Sequence, residues 1–535
     1  MAKSIKKIAA VVTLGTLLSK SGGLLRQLLI AGAFGIGTAY DAYNYAYIIP
    51  GFFLILLGGI NGPFHNGMVS ILSNKSKKEG IYINNAVNTL VGSLLILVSF
   101  VIFFAADPLI SIVGPGLTNA VHQVAVIQLK IMSPIAFISG LIGIGFGTLN
   151  AKSEFFIPSI APLLSSLVLI ICVGSFWIKE GEAIQSFELA LEGGIVLAVG
   201  TFVGALLQWG IQIPSLIKKG FLKFKFVWDL KSPGVKEVLA IIGPATLASG
   251  MLQFNVFTDL FFASGILGAA AGLSYANFIV QAPLGLISNA LLIPLLPEFS
   301  KLKAQEKYSA LIKKIEQGLI FSTASMIFLA AILISLGHPI IELIFQRGAF
   351  DKTAVDLVSG LLVAYGLGMP AYLGRDLLVR VFYALGDAKT PFKLSSIGIG
   401  LNILFDWALV GGPSPWGNQL PFNLGAPGIV LATVFVNLIT FSALLFQLKR
   451  NLGKLPIFKL SINLLKLLLS GFIASIVAFQ TSSIIFWHQS YMAELIEIIF
   501  SASLAFITFL LATNYLKVKE VDSFFQILRK KIIHF

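Results

Sequence analysis

Charge is what this sequence has least of: Asp, Glu, Lys and Arg make up 12% of its 535 residues, while 56% are hydrophobic. A soluble chain of this length needs about a quarter charged residues to cover its surface, so a water-soluble globular fold is excluded. Cysteine is scarcer still. Cys172 stands alone, which excludes an intramolecular disulfide framework and a multi-cysteine metal site. The five histidines, His65, His122, His338, His488 and His534, lie far apart, and none pairs at helical spacing. A helical His–His metal motif is therefore missing, and so is a phosphate-binding Gly-Lys-Ser/Thr loop, which argues against ATP use. No nucleophile, base and orienting group assemble into a catalytic pattern, so an enzyme is the least expected class.

What is present is continuous apolar sequence, with a mean hydropathy of +0.90. Spanning a bilayer takes about 20 apolar residues per helix, whereas a transmembrane β-strand alternates every second residue. These runs are unbroken and rich in Leu, Ile, Ala, Gly and Phe, so the expected fold is an all-α integral membrane protein with about fourteen transmembrane helices. The expected segments are 6–33, 39–72, 84–106, 121–150, 157–178, 188–216, 234–265, 269–297, 311–337, 352–385, 391–412, 426–448, 460–480 and 492–516. Lys3, Lys6 and Lys7 ahead of the first run resemble a signal peptide, but no small-residue cleavage site follows, and the run reads as the first helix.

The net charge of +14 invites a nucleic-acid reading, and its placement gives another. Lys75, Lys77 and Lys78 follow helix 2; Lys218, Lys219, Lys223, Lys225 and Lys231 follow helix 6. Lys301, Lys303 and Lys307 follow helix 8, and Lys449, Arg450 and Lys454 follow helix 12. Lys517, Lys519, Arg529, Lys530 and Lys531 close the chain. The opposite loops, 107–120, 412–425 and 481–491, hold no Lys or Arg, and Lys179 and Arg347 are the exceptions to the alternation. The positive-inside rule then places both termini in the cytoplasm, with no nucleic-acid partner required.

Short patterns recur in order at offsets of 230 to 237 residues. Tyr45-Ala46 and Pro50 match Tyr275-Ala276 and Pro283; Gly114 matches Gly348; Pro134 matches Pro370; Asn150-Ala151-Lys152 matches Asp387-Ala388-Lys389. The offset spans six helices, an even number, so the two copies share one orientation, a plan in which substrate binds between two lobes that rock. The expected division is a lobe at 1–220, a second at 221–450, and two further helices with a basic tail at 451–535.

Charges within spans are costly and are candidate functional groups. Helix 1 carries Lys20 and Arg26 around a Ser19-Lys20-Ser21-Gly22-Gly23 break, where two mid-helix glycines allow close approach or bending, and a bend would let both cations reach one anionic head group. Snorkelling to the interface is the alternative. Asp41 opens helix 2 as an anion partner or as a first-turn acid on the helix dipole. Pro50, Gly58-Gly59 and Asn61-Gly62-Pro63 make that helix bent. Asp259, behind Gln253 and Asn255, reads as inward-facing or as a structural partner of a base. In helix 10, Asp376 and Arg380 stand at i,i+4 beside Arg375 and are expected to pair with each other or to touch substrate.

Four stretches carry a family resemblance: Gly32-Ala33-Phe34-Gly35 through Asp41-Ala42 to Pro50, Gly147 to Pro162, Ile344 to Phe350, and Phe382 to Pro391. They resemble the MurJ (MviN) family of lipid II flippases, in the superfamily of MATE exporters and polysaccharide flippases. The resemblance implies a two-lobed bundle with a cationic central cavity for a lipid-linked diphosphate sugar. It also implies a groove for the polyprenyl tail beside the last two helices, and alternating access in a bacterial inner membrane. It gives Arg26 and Asp41 functional roles and puts Lys20 where the family has an Arg. Phe52-Phe53-Leu54-Ile55 stands where the family often has an Arg pair, Asn61 where it has a Glu, and Asn277, Phe278 and Gln281 where it has an Asp-Arg pair and a Glu. The implied partners are lipid II and membrane lipids, with no cofactor beyond coupling to an ion or the membrane potential. Export of another lipid-linked saccharide, a MATE-like antiporter, and a non-transporting scaffold for cell-wall enzymes are the competing readings.

The topology has a direct check. With Cys172 removed, cysteines at Lys77 and Lys223 should resist a membrane-impermeant thiol reagent in intact cells, and one at Pro415 should label. Labelling of position 223 from outside would sink the fourteen-helix arrangement with cytoplasmic termini.

Overall fold

A computed structural model of the chain describes residues 5–59, 62–181, 184, 188–221, 225–251, 253–411, 422–453, 455–484 and 490–518. Asn61, Lys223 and Pro415 lie outside these. All regular structure among the described residues is helical. The helices are α1 (Ile5–Phe34), α2 (Thr38–Leu56), α3 (Pro63–Leu72), α4 (Lys77–Phe104), α5 (Ala106–Val113), α6 (Asn119–Met132), α7 (Ile135–Ala151), α8 (Phe156–Glu180), α9 (Ala190–Gly210) and α10 (Ile213–Lys219). They continue with α11 (Pro233–Met251), α12 (Phe254–Ala263), α13 (Ala269–Ala304), α14 (Tyr308–Phe345), α15 (Lys352–Leu385), α16 (Lys389–Val410), α17 (Ala426–Leu452), α18 (Ile457–Ile484) and α19 (Tyr491–Tyr515).

Among the described residues, ten helical spans are long and apolar enough to cross a membrane, and α6 with α7, bent by 42° at Ser133-Pro134, makes eleven. The three remaining expected segments are occupied by α1, by α2 with α3, and by α11 with α12. The break between α2 and α3 falls in the glycine cluster, and Pro63 opens α3 at a position where its missing N–H costs nothing. One loop differs from expectation: 107–120 contains α5, whose buried Ala106, Ile110 and Val113 form one helical face.

The first compact unit comprises residues up to Ala271 together with Arg347–Asp351. The expected break at Ser19–Gly23 is absent; α1 runs helically through it. Of the two uses expected for its glycines, close approach is the one seen. A Cβ at Gly15 would stand 2.8 Å from the Ser159 Cβ, and one at Gly22 2.4 Å from a Leu163 methyl, so they let α1 lie close against α8. A second close approach joins two of the sequence motifs. The Ala349 N–H donates to the Gly32 carbonyl at 2.7 Å. Gly348 has φ +58°, and a Cβ there would meet the Gly32 oxygen at 2.3 Å. Gly35 has φ +52°, and its Cβ would meet the Ala349 oxygen at 2.2 Å. The Gly32–Gly35 and Gly348–Phe350 stretches are therefore the two halves of one contact, which leaves room for hydrogen on both sides.

The second unit comprises Gly272–Gln346 and Lys352–Phe535. In it α18 and α19 pack on α14 through Ile320, Ala324, Ile327, Leu467, Ala474 and Phe509, with Gly471 against Ile327. The repeat-matched tyrosines are equivalent in burial: Tyr45 and Tyr275 are both fully buried.

Three lysines finish helices, Lys219 and Lys303 among those from which the topology was expected. Lys152 Nζ donates to the Leu72 carbonyl at the end of α3 (2.9 Å), and Lys219 to the Lys152 carbonyl that caps α7 (3.1 Å). In the second unit Lys303 donates to the Leu385 carbonyl at the end of α15 (2.6 Å). Each satisfies an orphan carbonyl at the negative end of a helix dipole. Just beyond α15, Asp387 accepts from the Thr390 N–H (3.0 Å) and hydroxyl (2.7 Å), which holds its carboxyl below the ordinary range.

Gly348→Ala should cost the strain of a left-handed alanine, about 1–2 kcal/mol, plus the clash with Gly32. Gly453→Ala, with φ +72° and open space around it, should cost the strain alone. Thermal unfolding in detergent should rank Gly348→Ala clearly below Gly453→Ala; equal melting temperatures would show that the Gly32 contact carries no stability.

Candidate functional site

Arg26 in α1 is half-buried and faces tyrosines of α2. Tyr40, Tyr43 and Tyr47, at i, i+3 and i+7, stack along one face with ring centroids 5.9 and 5.3 Å apart. Arg26 interacts electrostatically with Tyr43 and Tyr47. The next residue, Gln27, is buried and donates to the Tyr40 hydroxyl at 2.8 Å, and the Tyr43 hydroxyl pairs with Thr201 of α9 at 2.8 Å. The guanidinium thus lies near a tyrosine stripe that Gln27 and Thr201 anchor through its hydroxyls. The sequence reading passed over these tyrosines, although their spacing along Tyr40–Tyr47 was visible as one helical stripe.

Lys20 is exposed. Because α1 is uninterrupted, Lys20 and Arg26 are about 9 Å apart along the axis and about 120° apart around it. The two cations therefore stand on different faces of one continuous helix.

Asp41 is buried, and its carboxylate is engaged by backbone. Ala271 N–H donates to it at 3.1 Å, and the N–H groups of Gly268 and Ala270 also donate. Asp41 thus caps the first turn of α13, so the dipole it complements belongs to a helix far along the chain. Asp259 on α12 is half-buried and engaged in an interaction of its own. Asn277 and Gln281 are exposed, one turn apart on α13. Asn61 lies outside the described residues. Phe52 makes edge contacts with Phe53 (5.5 Å) and Phe257 (6.2 Å), so the stretch where the family often carries arginines is an aromatic cluster.

In the second unit, Arg375 Nη2 donates to Ser395 Oγ at 3.3 Å, while its Nε is buried and finds no acceptor among the described residues. Asp376 interacts electrostatically with Arg375 and Arg380. The expected i,i+4 pair is open: among the described residues no N–O approach within 4 Å joins Asp376 to Arg380.

Two features were missed from sequence. Asn402 and Asp406 of α16 are fully buried; the Asn402 amide donates to the Asp406 carboxylate at 2.8 Å and accepts from Thr433 of α17 at 3.2 Å. The i,i+4 spacing of two polar residues within an apolar span was the available signal. An apolar cavity of about 100 Å³ lies among α14, α15, α17 and α18, lined by Leu319, Pro370, Phe441 and Leu464.

The fold and these in-span polar groups define a multi-pass, all-helical membrane protein of the transporter type. An inward-facing multidrug resistance MATE transporter of the MOP superfamily superposes with a TM-score of 0.64 at 14% identity, covering 84% of this chain and 98% of that one, a likeness of fold. A solved lipid II flippase MurJ in an inward closed conformation superposes with a TM-score of 0.74 at 25% identity, covering 95% and 99%. The probable lipid II flippase MurJ of Synechocystis sp. is 44% identical over 525 residues, 97% of this chain and 96% of that protein. The lipid II flippase MurJ of Burkholderia cenocepacia is 30% identical over 397 residues, 72% and 74%. The family described as lipid II flippase MurJ matches residues 30–501. The chain belongs to the MurJ family.

Removing the Asp41 carboxylate should expose the first turn of α13. Asp41→Ala should lower stability by about 1–2 kcal/mol, and Asp41→Asn by less. Amide exchange at Ala270 and Ala271 should accelerate in Asp41→Ala; unchanged protection there would show that the cap is not formed.

Proposed function

We propose that this chain translocates lipid II from the cytoplasmic to the outer leaflet of a bacterial inner membrane by alternating access, with both termini in the cytoplasm. The rocking bodies are the lobes 1–220 and 221–450, with 451–535 beside them. Membership of the MurJ family carries this reading, supported by a helix-1 arginine held among tyrosines inside the membrane. Arg26 takes a diphosphate oxygen and Lys20 adds long-range attraction; in the second lobe Arg375 and Arg380 are further cations for an anionic head group, and Arg375 Nε has an unused donor. Asn277, Gln281, Asn61 and Asp259 serve as polar contacts to the sugar. The apolar cavity beside α18 takes part of the isoprenoid tail.

Coupling follows from charge. A diphosphate with two negative charges moving outward gains about 4–5 kcal/mol per 100 mV of inside-negative potential, so the membrane potential or a coupled ion supplies the driving force. Phe52-Phe53 in place of charge favours one second reading, export of a different lipid-linked saccharide with a less polar head group.

The test is complementation of a strain depleted of its own lipid II flippase, paired with lipid II translocation to the outer leaflet of right-side-out vesicles. Arg26→Ala should lower translocation about ten- to hundredfold, as expected for loss of a charged hydrogen bond, with abundance nearly unchanged. Lys20→Arg should keep activity and Lys20→Ala should lose more. Collapsing the potential should slow the wild type. Normal translocation by Arg26→Ala would place the head group elsewhere and reopen the substrate assignment.

A further inference from the structure

The segment joining α10 to α11 has an organisation that flipping does not use. Between residues 218 and 231 it holds five lysines, Lys218, Lys219, Lys223, Lys225 and Lys231, and one acid, Asp229. Residues 225–231 form no helix, and their burial alternates: Phe226, Trp228 and Leu230 are 79%, 60% and 52% exposed, while Val227 and Asp229 are half-buried. The Phe226 and Trp228 rings stack at 6.2 Å, making one apolar ridge.

The other side of the segment is tied down. Val227 N–H donates to Thr89 Oγ1 at 3.1 Å, and the Val227 side chain packs with Ala86, Leu90 and Val235. The Tyr82 hydroxyl donates to Asp229. Asp229 also accepts from the N–H groups of Lys231 (2.7 Å) and Ser232 (3.1 Å), and these bonds hold its carboxyl below the ordinary range, ionised and occupied. The other acids nearby belong to the flanking helices: Glu79, paired with Lys75, and Glu237 on α11.

A mobile loop would not keep a Phe-Trp-Leu ridge facing outward; this one is strapped to α4 so that the ridge stays outside. It lies between the C-terminal end of the span Ala190–Lys219 and the start of α11, at a face of the membrane. Aromatic residues beside lysines are the composition of a membrane–water interface, where rings sit at head-group level and ammonium groups meet lipid phosphates. We propose that residues 225–231 are an interfacial strap that inserts Phe226, Trp228 and Leu230 into the cytoplasmic leaflet, while Lys218, Lys225 and Lys231 bind anionic phospholipid. The leaflet, though not the lipid contact, rests on the topology proposed above. The strap anchors the start of α4 to the lipid surface, and so gives the first unit a fixed reference at the membrane.

The full chain, with Cys172→Ser and single cysteines at 225, 226 or 228, is spin-labelled and reconstituted in vesicles of phosphatidylcholine with a quarter phosphatidylglycerol. Labels at 226 and 228 should be shielded from a water-soluble nickel relaxant and open to oxygen, within about 10 Å of the phosphates; a label at 225 should show the reverse. Lys218→Gln, Lys225→Gln and Lys231→Gln together should lower phosphatidylglycerol retention at least tenfold, and salt should do so in the wild type. Equal aqueous access at 225, 226 and 228 in vesicles holding only this chain would overturn the strap, whether the ridge awaits a protein or nothing. Unchanged phosphatidylglycerol retention in the triple variant would overturn the anionic-lipid contact. Reduction of a label at 225 by external ascorbate in right-side-out vesicles would overturn the inner leaflet. None of these readouts requires lipid II transport, so they stand or fall apart from the flippase reading.

Discussion

Hydrocarbon offers no hydrogen bonds, and most of what distinguishes this structure follows from that. Every backbone group within the membrane must be satisfied inside the protein, so the regular structure is helical and the difficult places are the helix ends. Asp41 closes the first turn of α13 with its carboxylate, Lys152, Lys219 and Lys303 close the last turns of other helices, and Gln128 reaches two carbonyls, of Ala39 and Gly194, at 3.1 Å each. Once polar side chains are committed in this way, those left within spans and not spent on backbone, Arg26 and Arg375 above all, are the ones that the proposed function assigns to the head group.

The bundle was legible because the signals for it are strong and local. Apolar runs set the segments, and turn-forming Gly and Pro set the break between α2 and α3. What local sequence cannot convey is which of two uses a residue serves. Gly22 can interrupt a helix or admit a neighbour, and only Leu163 of α8 decides it. Asp41 can face a ligand or a dipole, and the dipole in question begins more than two hundred residues later at Ala269. The candidate site was half legible for the same reason. Arg26 stood out as a charge in an apolar run, whereas the Tyr40–Tyr43–Tyr47 face and the Asn402–Asp406–Thr433 cluster need two helices side by side to be seen.

In the proposed transport of lipid II, the aromatic cluster of Phe52, Phe53 and Phe257 bears on how strongly the diphosphate is held. Fewer cations weaken ground-state binding of a diphosphate and lower the cost of letting it go on the far side. A transporter gains from that exchange, because cargo bound too tightly stalls the cycle.

The lysines that end helices serve two masters in time. During insertion such a residue acts as a charge that resists crossing the membrane, and position along the loop matters little. After folding it acts as a donor aimed at one carbonyl, and position matters to within an ångström. A residue such as Lys303 therefore cannot slide to a neighbouring site, even where the topology would be the same, without leaving the Leu385 carbonyl at the end of α15 without its donor.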